Sequence, residues 1–276
     1  MSTDTATRNT TWKRQTAAKN LRSVGIGAAA TGGLLVAWLF FTEWTNIVSP
    51  LFLPSPAAVL ERIIQFSGEP YQGETFGGHI LASVRVVLFG WIVAGLIGLP
   101  LGILMGWNER VRQVVSPVFN LLRPIPPIAW IPLAILWFGL GDEARVFVVI
   151  VSAVVPWVLN SYEAIAGLDK LLLRAGRTLG ASNMRTLMEI AIPTSVPTLV
   201  GGARIALGNA WMTIVAAELL GATRGLGFVA LNARQTLDAD IMVAAMVLIG
   251  LLGVLFSEIL RFVENRLSRW RQEATV

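Results

Sequence analysis

Four charged side chains lie inside long apolar runs: Arg85, Arg123, Arg204 and Glu218. A charge at membrane depth is costly and normally faces the protein interior or a water-filled cavity. Arg123 or Arg204 could therefore attract an anionic solute along a pathway. Alternatively, Arg204 and Arg85 pair with Glu218 or with backbone carbonyls, and Arg123 extends its side chain to the aqueous surface. Because a carboxylate would not attract an anion, we expect Glu218 to have a structural or gating role, with Arg224 or Arg204 as its partner.

Three prolines follow Arg123 within four residues. Proline has no backbone N–H and breaks or kinks a helix, so we expect the apolar run to be broken there. Irregular backbone at membrane depth is tolerated where it is packed in protein or lines a cavity. The candidate pathway residues are Arg123, Pro126, Trp130, Arg204 and Glu218.

Catalytic chemistry finds little support in this sequence. The chain has no cysteine and a single histidine, His79, which we expect at the surface. It contains no Gly-x-Ser-x-Gly nucleophile elbow and no Gly-x-x-x-x-Gly-Lys-Ser/Thr phosphate loop. The glycine-rich stretch 221–227 follows an apolar helix rather than a strand, which is the wrong setting for a nucleotide. We therefore expect no catalytic, cofactor or metal site in the chain, and the hypothesis of an intramembrane enzyme finds no nucleophile and base.

The elements that carry these residues are apolar helices. Of the 276 residues, 54% are hydrophobic and 14% are charged, whereas soluble domains have about a quarter charged. A helix needs about 20 mostly apolar residues to cross the hydrocarbon layer. We predict an all-α membrane protein with six transmembrane helices, at about Val24–Phe41, Ile80–Met105, Val114–Phe138, Ala144–Leu159, Thr194–Leu220 and Ile241–Val263.

The formal net charge of +5 reflects membrane orientation rather than nucleic-acid binding, because the basic residues gather at the ends of the apolar runs. They concentrate in the N-terminal tail, in the turn after span two, between spans four and five, and at the C-terminal end. Six spans put all four clusters on one side, which predicts a membrane protein with both termini cytoplasmic.

This arrangement divides the chain into four segments. Residues 1–23 and 265–276 are cytoplasmic tails, and 79–264 form the transmembrane core. Residues 24–78 hold the first span and a periplasmic segment with a short amphipathic helix, which Ser55 caps and Pro56 begins.

Between spans four and five, the segment Ser161–Pro193 interrupts the membrane pattern. Its apolar residues recur at helical spacing, and Arg174, Arg177 and Arg185 share the polar faces. Gly180 lies where a helix can end, and Ser182 can cap a second helix after it. We predict two short amphipathic helices around a glycine elbow; the alternative is an ordinary loop packed on the bundle.

This segment resembles the EAA motif of ABC importer permeases, which reads Glu-Ala-Ala, three residues, Gly, nine residues, then Ile-x-Leu-Pro. The Ala, Gly, Ile and Pro spacings match, and the departures are Arg174 for Glu, Gly176 for the second Ala and Ile192 for Leu. The resemblance implies a coupling loop, 163–193, that contacts an ATPase. The implied coupling residues are Arg174, Ala175, Gly176, Leu179, Gly180, Ala181, Ile190 and Pro193.

Three further stretches resemble the permeases for taurine, aliphatic sulfonates, nitrate and bicarbonate, with the taurine permeases the most similar. They are SPLFLPSP at 49–56, RPIPPIAWIPL at 123–133 with WFG at 137–139, and AAELLGATRGLGF at 216–228. The similarity covers nearly all of the chain after about residue 45, and it implies the type I ABC importer permease fold.

The resemblance also implies a location in the bacterial inner membrane, and it implies partners. Two permease subunits would form the pathway for a small anionic solute, and their coupling helices would dock on two separate ATP-binding cassette subunits that bind ATP and Mg. A soluble solute-binding protein outside would deliver the substrate. The other hypothesis is an ATP-independent secondary transporter or channel for small anions. Such a protein would not need the double amphipathic helix and usually shows internal repeats, of which we find no convincing case.

Overall fold

The computed structural model describes residues 25, 27, 29–44, 49 and 52–267. Within this part of the chain the structure is helical, apart from one isolated β-bridge between Tyr71 and Glu74. The helices are α1 (29–39, continued by a π-helical turn Phe40–Trp44), α2 (Pro56–Gly68), α3 (Phe76–Trp107), α4 (Glu109–Leu122), α5 (Ile131–Phe138), α6 (Asp142–Ala166), α7 (Lys170–Thr178), α8 (Asn183–Arg185), α9 (Ile192–Gly221), α10 (Leu226–Thr236) and α11 (Ala239–Leu267).

Four helical runs are long and apolar enough to cross a membrane: α3, α6, α11 and the run Asn183–Gly221 that contains α9. A fifth span is formed if α4 is joined to Pro127–Phe138. These five correspond to the second to sixth predicted spans, and each extends somewhat beyond its predicted bounds. The first predicted span begins at Val24, which lies outside the described residues; its described part, 29–41, is helical.

The predicted break in the third span is present. Helix α4 ends at Leu122, and a short 3₁₀ helix, Pro127–Trp130, leads into α5. The two halves meet at an angle of 81°. The prolines remove the donors that would continue the α-helical ladder, so the chain changes direction here.

Helices α3 and α6 pack closely because glycines on α3 face α6. A Cβ atom on Gly98 would lie 2.7 Å from the Cβ of Trp157, and one on Gly102 would lie 2.6 Å from the Cβ of Ser161. Small residues at such contacts let two membrane helices approach to backbone distance. Substituting either glycine would push the two spans apart.

Helix α9 completes the centre of the bundle. The Trp91 indole on α3 donates to the Ala203 carbonyl at 3.0 Å, and the Ser195 hydroxyl donates to the Ala164 carbonyl at the end of α6 at 2.9 Å. Helix α11 joins through the Trp211 indole, which donates to the Ile249 carbonyl at 3.0 Å. These bonds, with the apolar cluster around Val149, hold the four spans that position the site.

The short helix α2 begins as the sequence predicts: Pro56 is its first residue, and the Ser55 hydroxyl accepts from the Ala58 N–H at 3.3 Å. Val59 is buried against α10 and α11, and Arg62 forms a 2.9 Å ion pair with Asp240 at the start of α11. The helix therefore packs on the core.

Candidate functional site

Both ends of helix α7 are capped by neighbouring residues. At its start, the Asp169 carboxylate accepts from the Leu171 N–H at 2.8 Å, which satisfies one of the free donors of the first turn. At its end, the Gly180 N–H donates to the Arg177 carbonyl and the Ala181 N–H donates to the Gly176 carbonyl. This pair of bonds is a Schellman motif, which ends the helix sharply.

Gly180 is the elbow that the sequence predicts. Its φ is +84°, in the left-handed region that favours glycine. Gly176 has a different task, because it is buried against the chain that returns from the elbow. A Cβ there would meet the terminal methyl group of Ile190, so the missing side chain lets α7 lie close to that chain.

The second half of the segment differs from the prediction of a separate short helix. Ser182 caps it as expected, accepting from the Arg185 N–H at 3.3 Å. The chain then runs without a stop through a π-helical turn, Thr186–Ala191, into α9. In this wider turn the Ile192 N–H donates to the Leu187 carbonyl five residues back. Because Pro193 comes directly after that shift in the bonding pattern, its missing N–H does not end the helix.

We call the exposed side chains of residues 170–189 the α7 surface. Leu179 at the elbow is 88% exposed, although it is apolar. On a surface outside the membrane, a group of exposed apolar side chains of this size marks an interaction site. The exposed apolar members are Leu171, Leu172, Leu179, Met184 and Met188, and the exposed cations are Lys170, Arg174, Arg177 and Arg185.

The remaining predicted coupling residues lie on or beside this surface. Ala175 is exposed, and Ala181 and Ile190 are half-buried. Pro193 lines an open cleft of about 750 Å³ between α7 and the ends of α6 and α9. The structure therefore places all eight predicted coupling residues in α7, in the elbow, or in the chain that returns from the elbow into α9.

The pathway candidates are not gathered in this way. Arg123 ends α4, and Pro126 begins the 3₁₀ turn, so both lie exposed at the 81° bend. Trp130 closes that turn and packs edge-on against Phe147 of α6, with ring centroids 6.3 Å apart.

Arg204 pairs with Glu264 of α11 at 3.0 Å, not with Glu218. The alternative in which Arg204 pairs with Glu218 is wrong for a simple reason. Arg204 and Glu218 are fourteen residues apart on the same helix, which separates them by about 21 Å at the rise of an α-helix. Arg204 therefore ties α9 to the end of α11.

Glu218 is fully buried. It lies near the end of α9 that the charge pattern predicts to face the outside. Its Oε1 accepts from the Ser83 hydroxyl of α3 at 2.7 Å, and its Oε2 accepts from the Gly227 N–H at 2.8 Å. The Ser83 hydroxyl in turn accepts from the Leu226 N–H at 3.0 Å. Glu218 thus holds the loop between α9 and α10 against α3.

The cation beside Glu218 is Arg145 of α6, which corrects the expectation of Arg224 or Arg204. The Arg145 guanidinium is 5% exposed, lies 3.9 Å from the Glu218 carboxylate, and donates to the Arg224 carbonyl at 3.1 Å. It also pairs with Asp142, three residues earlier. The Arg224 side chain pairs with Asp142 at 3.3 Å.

His79 is fully buried, which contradicts the expected surface position. Its Nδ1 accepts from the Gly225 N–H at 3.1 Å, and its Nε2 donates to the Tyr71 carbonyl at 2.9 Å. His79, Ser83, Arg145 and Glu218 form what we call the outer polar cluster. They surround Gly225, whose φ is +123°.

Sequence reasoning missed two members of this cluster. Ser83 gave no signal, because an isolated serine in an apolar run is unremarkable. Arg145 did give one: it lies in the first turn of an apolar span, shortly after Asp142 and Glu143. Arg85, the fourth intramembrane charge, lies near the cluster and lines a cavity of about 200 Å³ with Asp142 and Arg224.

Comparisons with known proteins agree with these observations. Residues 98–269 match the family of binding-protein-dependent transport system inner membrane components. The chain is 34% identical over 257 residues to the taurine transport system permease protein TauC of Escherichia coli (strain K12), covering 91% of this chain and 92% of TauC. It is 31% identical over 245 residues to the nitrate import permease protein NrtB of Synechocystis sp. (strain PCC 6803), covering 86% and 87%.

Among solved structures, the chain resembles the MetNI methionine ABC transporter in an inward-facing conformation. The TM-score is 0.62 at 23% identity, over 68% of this chain and 93% of the matched chain. At this identity the likeness concerns the fold, and it agrees with the type I importer permease fold that the sequence predicts.

Proposed function

The chain belongs to the family of binding-protein-dependent transport system inner membrane components, and from this premise we propose how its parts work. It is a permease subunit of an ATP-binding cassette importer. The α7 surface is the part that transmits movement from an ATPase to the spans. The transmembrane helices form the pathway, and this chain itself hydrolyses no ATP.

The observation that carries the coupling role is the construction of the elbow at Gly180. Helix α7 is capped at both ends, and the segment after Ser182 is continuous with α9. A push on the α7 surface therefore acts on one end of a membrane-spanning helix, without a flexible joint between Asn183 and Gly221. The exposed apolar side chains at 171, 179, 184 and 188 form an apolar surface that a partner can bind.

The partners are those that this role requires. We propose two ATP-binding cassette subunits, which bind the ATP and Mg, a second copy of this chain as the other permease subunit, and a soluble solute-binding protein outside. The chain carries no phosphate loop of its own, which supports a separate ATPase. The family supports a bacterial inner membrane location, and the clusters of basic residues support cytoplasmic termini.

The proposed substrate is a small anionic solute, of the taurine or alkanesulfonate type, or nitrate or bicarbonate. The similarity to TauC favours a sulfonate, and the similarity to NrtB keeps nitrate open. Of the five residues proposed for the pathway, Arg123, Pro126 and Trp130 at the bend fit this role best, because the break exposes backbone there. Arg204 and Glu218 are engaged with Glu264 and with the outer polar cluster, which favours structural roles for them.

The test is ATP hydrolysis by the reconstituted complex with its binding protein and taurine, comparing the native chain with Gly180→Pro. Proline fixes φ near −65° and cannot adopt +84°, so the elbow should be lost together with stimulated hydrolysis. Gly73→Pro is a matched control, because Gly73 has φ +91° and open space around it, far from α7.

Loss of stimulation in Gly180→Pro alone, with the complex still assembled, supports coupling through α7. Equal activity of the two variants would place the ATPase contact elsewhere. An ATP-independent transporter would show solute uptake by the chain alone in vesicles without an ATPase.

A further inference from the structure

Three cations on the α7 surface have no carboxylate within ion-pair distance among residues 52–267. They are Lys170, Arg174 and Arg177; the nearest polar contact of Arg177 is the Asn183 side-chain oxygen, at 3.4 Å. Arg185, which follows the Gly180 elbow, does pair with Glu189 at 2.8 Å. Helix α7, which precedes the elbow, therefore presents an excess of positive charge that the chain does not neutralise locally.

Exposed apolar side chains accompany these cations both before and after the Gly180 elbow. Leu171 and Leu179 belong to α7 and its end, and they are 71% and 88% exposed. Met184 and Met188 lie after the elbow, and they are 63% and 56% exposed. Because apolar groups project from the chain on both sides of Gly180, the surface has the form of a ridge. A ridge fits a groove better than it fits the flat layer of lipid headgroups.

We propose that the ATPase groove that receives the α7 surface has an apolar floor and acidic walls, with a carboxylate opposite Arg174, the position at which the family motif has Glu. This inference rests on the proposed function and specifies the chemistry of the partner. Arginine forms bidentate pairs with carboxylates. The apolar side chains supply burial, and the charges determine which ATPase is accepted.

The first experiment converts the proposed contact into a covalent link. The chain's lysines are Lys13, Lys19 and Lys170, so a Lys170→Arg background leaves the α7 surface without an amine. Arg174→Lys in that background restores one amine at the contact. The purified complex with its ATPase subunit is treated with a carbodiimide, which joins an amine and a carboxylate only when they touch.

We expect an amide bond between residue 174 and an Asp or Glu of the ATPase subunit, located by mass spectrometry of the digested complex. Arg234→Lys in the same background is the matched control, since Arg234 is exposed on α10, away from the α7 surface. No link from position 174, in a complex that keeps its stimulated hydrolysis, would overturn the inference.

The second experiment reverses the charge. Arg174→Glu should lower stimulated ATP hydrolysis about tenfold, in the range of broken interfacial charge pairs. Changing the linked ATPase carboxylate to lysine should restore it. Arg234→Glu should leave hydrolysis unchanged. A loss that the ATPase change fails to rescue contradicts the pairing.

Lipid is the competing occupant, and the vesicles distinguish it. The Arg174→Glu loss should be the same in phosphatidylcholine vesicles with and without phosphatidylglycerol. A loss confined to the phosphatidylglycerol vesicles would assign the surface to anionic headgroups and overturn the inference. If the native complex contains no ATPase subunit or shows no stimulated hydrolysis, the proposed function itself fails; if it is active and position 174 has no effect, only this inference fails.

Discussion

The outer polar cluster and the α7 surface use the same kinds of side chain in opposite ways. At the cluster, Glu218 and Arg145 are buried beside each other, and their polar groups are satisfied by the Ser83 hydroxyl, the Gly227 N–H and the Arg224 carbonyl. At the α7 surface, Arg174 and Leu179 are exposed to solvent, and almost none of the apolar area of Leu179 is buried. The first region is satisfied by contacts within one subunit, whereas the second leaves its charged and apolar side chains in solvent.

This difference separates charges that stabilise the fold from charges that, under the proposed function, contact a partner. A buried carboxylate is tolerated only when donors satisfy it, so Glu218 stabilises the loop at Gly225 and is not available to a passing solute. An exposed arginine contributes little to folding. Substitutions at the two regions should therefore affect different measurements: thermal stability for the cluster, and stimulated ATP hydrolysis for the α7 surface.

Arg145→Met should have the largest effect on stability. It removes the cation beside Glu218 and leaves a buried carboxylate without its counter-charge, which costs about 3–5 kcal/mol. We expect a large fall in the unfolding temperature of the detergent-purified chain. Arg224→Met is the control: its side chain is about half exposed and pairs with Asp142, so its loss should cost about 1 kcal/mol or less. Equal effects of the two changes would mean that burial of Arg145 is not what matters.

Gly225→Ala should come second. A Cβ at this position would fall on the Glu218 carboxylate, and φ of +123° is strained for alanine. Strain of this kind costs on the order of 1–3 kcal/mol, with the displacement of Glu218 in addition. Gly73→Ala has a similar φ, +91°, and open space, so it isolates the backbone cost. The two unfolding temperatures should differ clearly, and similar values would contradict the close contact.

His79→Phe should have an intermediate effect. It keeps the ring volume but leaves the Gly225 N–H without its acceptor in a buried site, which costs about 1–3 kcal/mol. Amide hydrogen exchange at residues 225–227 should become faster. If exchange there is unchanged, His79 does not hold the loop.

Leu179→Ser should have the smallest effect on stability, because Leu179 is already 88% exposed. The unfolding temperature of the isolated chain should stay within the range of an ordinary surface change, about 0.5 kcal/mol. Association with the ATPase subunit, measured by titration of the purified proteins, should weaken. A stable variant with unchanged association would remove Leu179 from the contact.

Gly176→Ala tests whether the departure from the family motif matters. The added Cβ meets only the flexible end of the Ile190 side chain, which can rotate away. We expect coupling to be retained, measured as stimulated ATP hydrolysis. Strong loss would show that α7 must lie at its present distance from the returning chain.

Much of the fold could be predicted because its causes are local. The length of an apolar run predicts a span, the prolines after Arg123 predict the bend, and Gly180 predicts the elbow. Ser55 and Ser182 each cap the next helix in the chain. Each of these effects acts within a few residues along the chain, so neighbouring residue types are enough to reveal it.

The partners of the buried charges could not be predicted in the same way. Ser83 and Glu218 are 135 residues apart, and only the packing of α3, α6 and α9 brings them together with Arg145. The burial of His79 and the pairing of Arg204 with Glu264 have the same origin. The continuity of 183–221 depends on a π-helical turn that no residue type announces.

The sequence by itself therefore determined the class of protein, its spans and the elbow, since these depend on hydropathy, proline and glycine acting over short distances. Only the tertiary structure decided which charges are satisfied inside the chain and which remain exposed to solvent. That distinction depends on which helix faces meet, because a buried charge must find donors on neighbouring helices whereas an exposed charge is solvated by water.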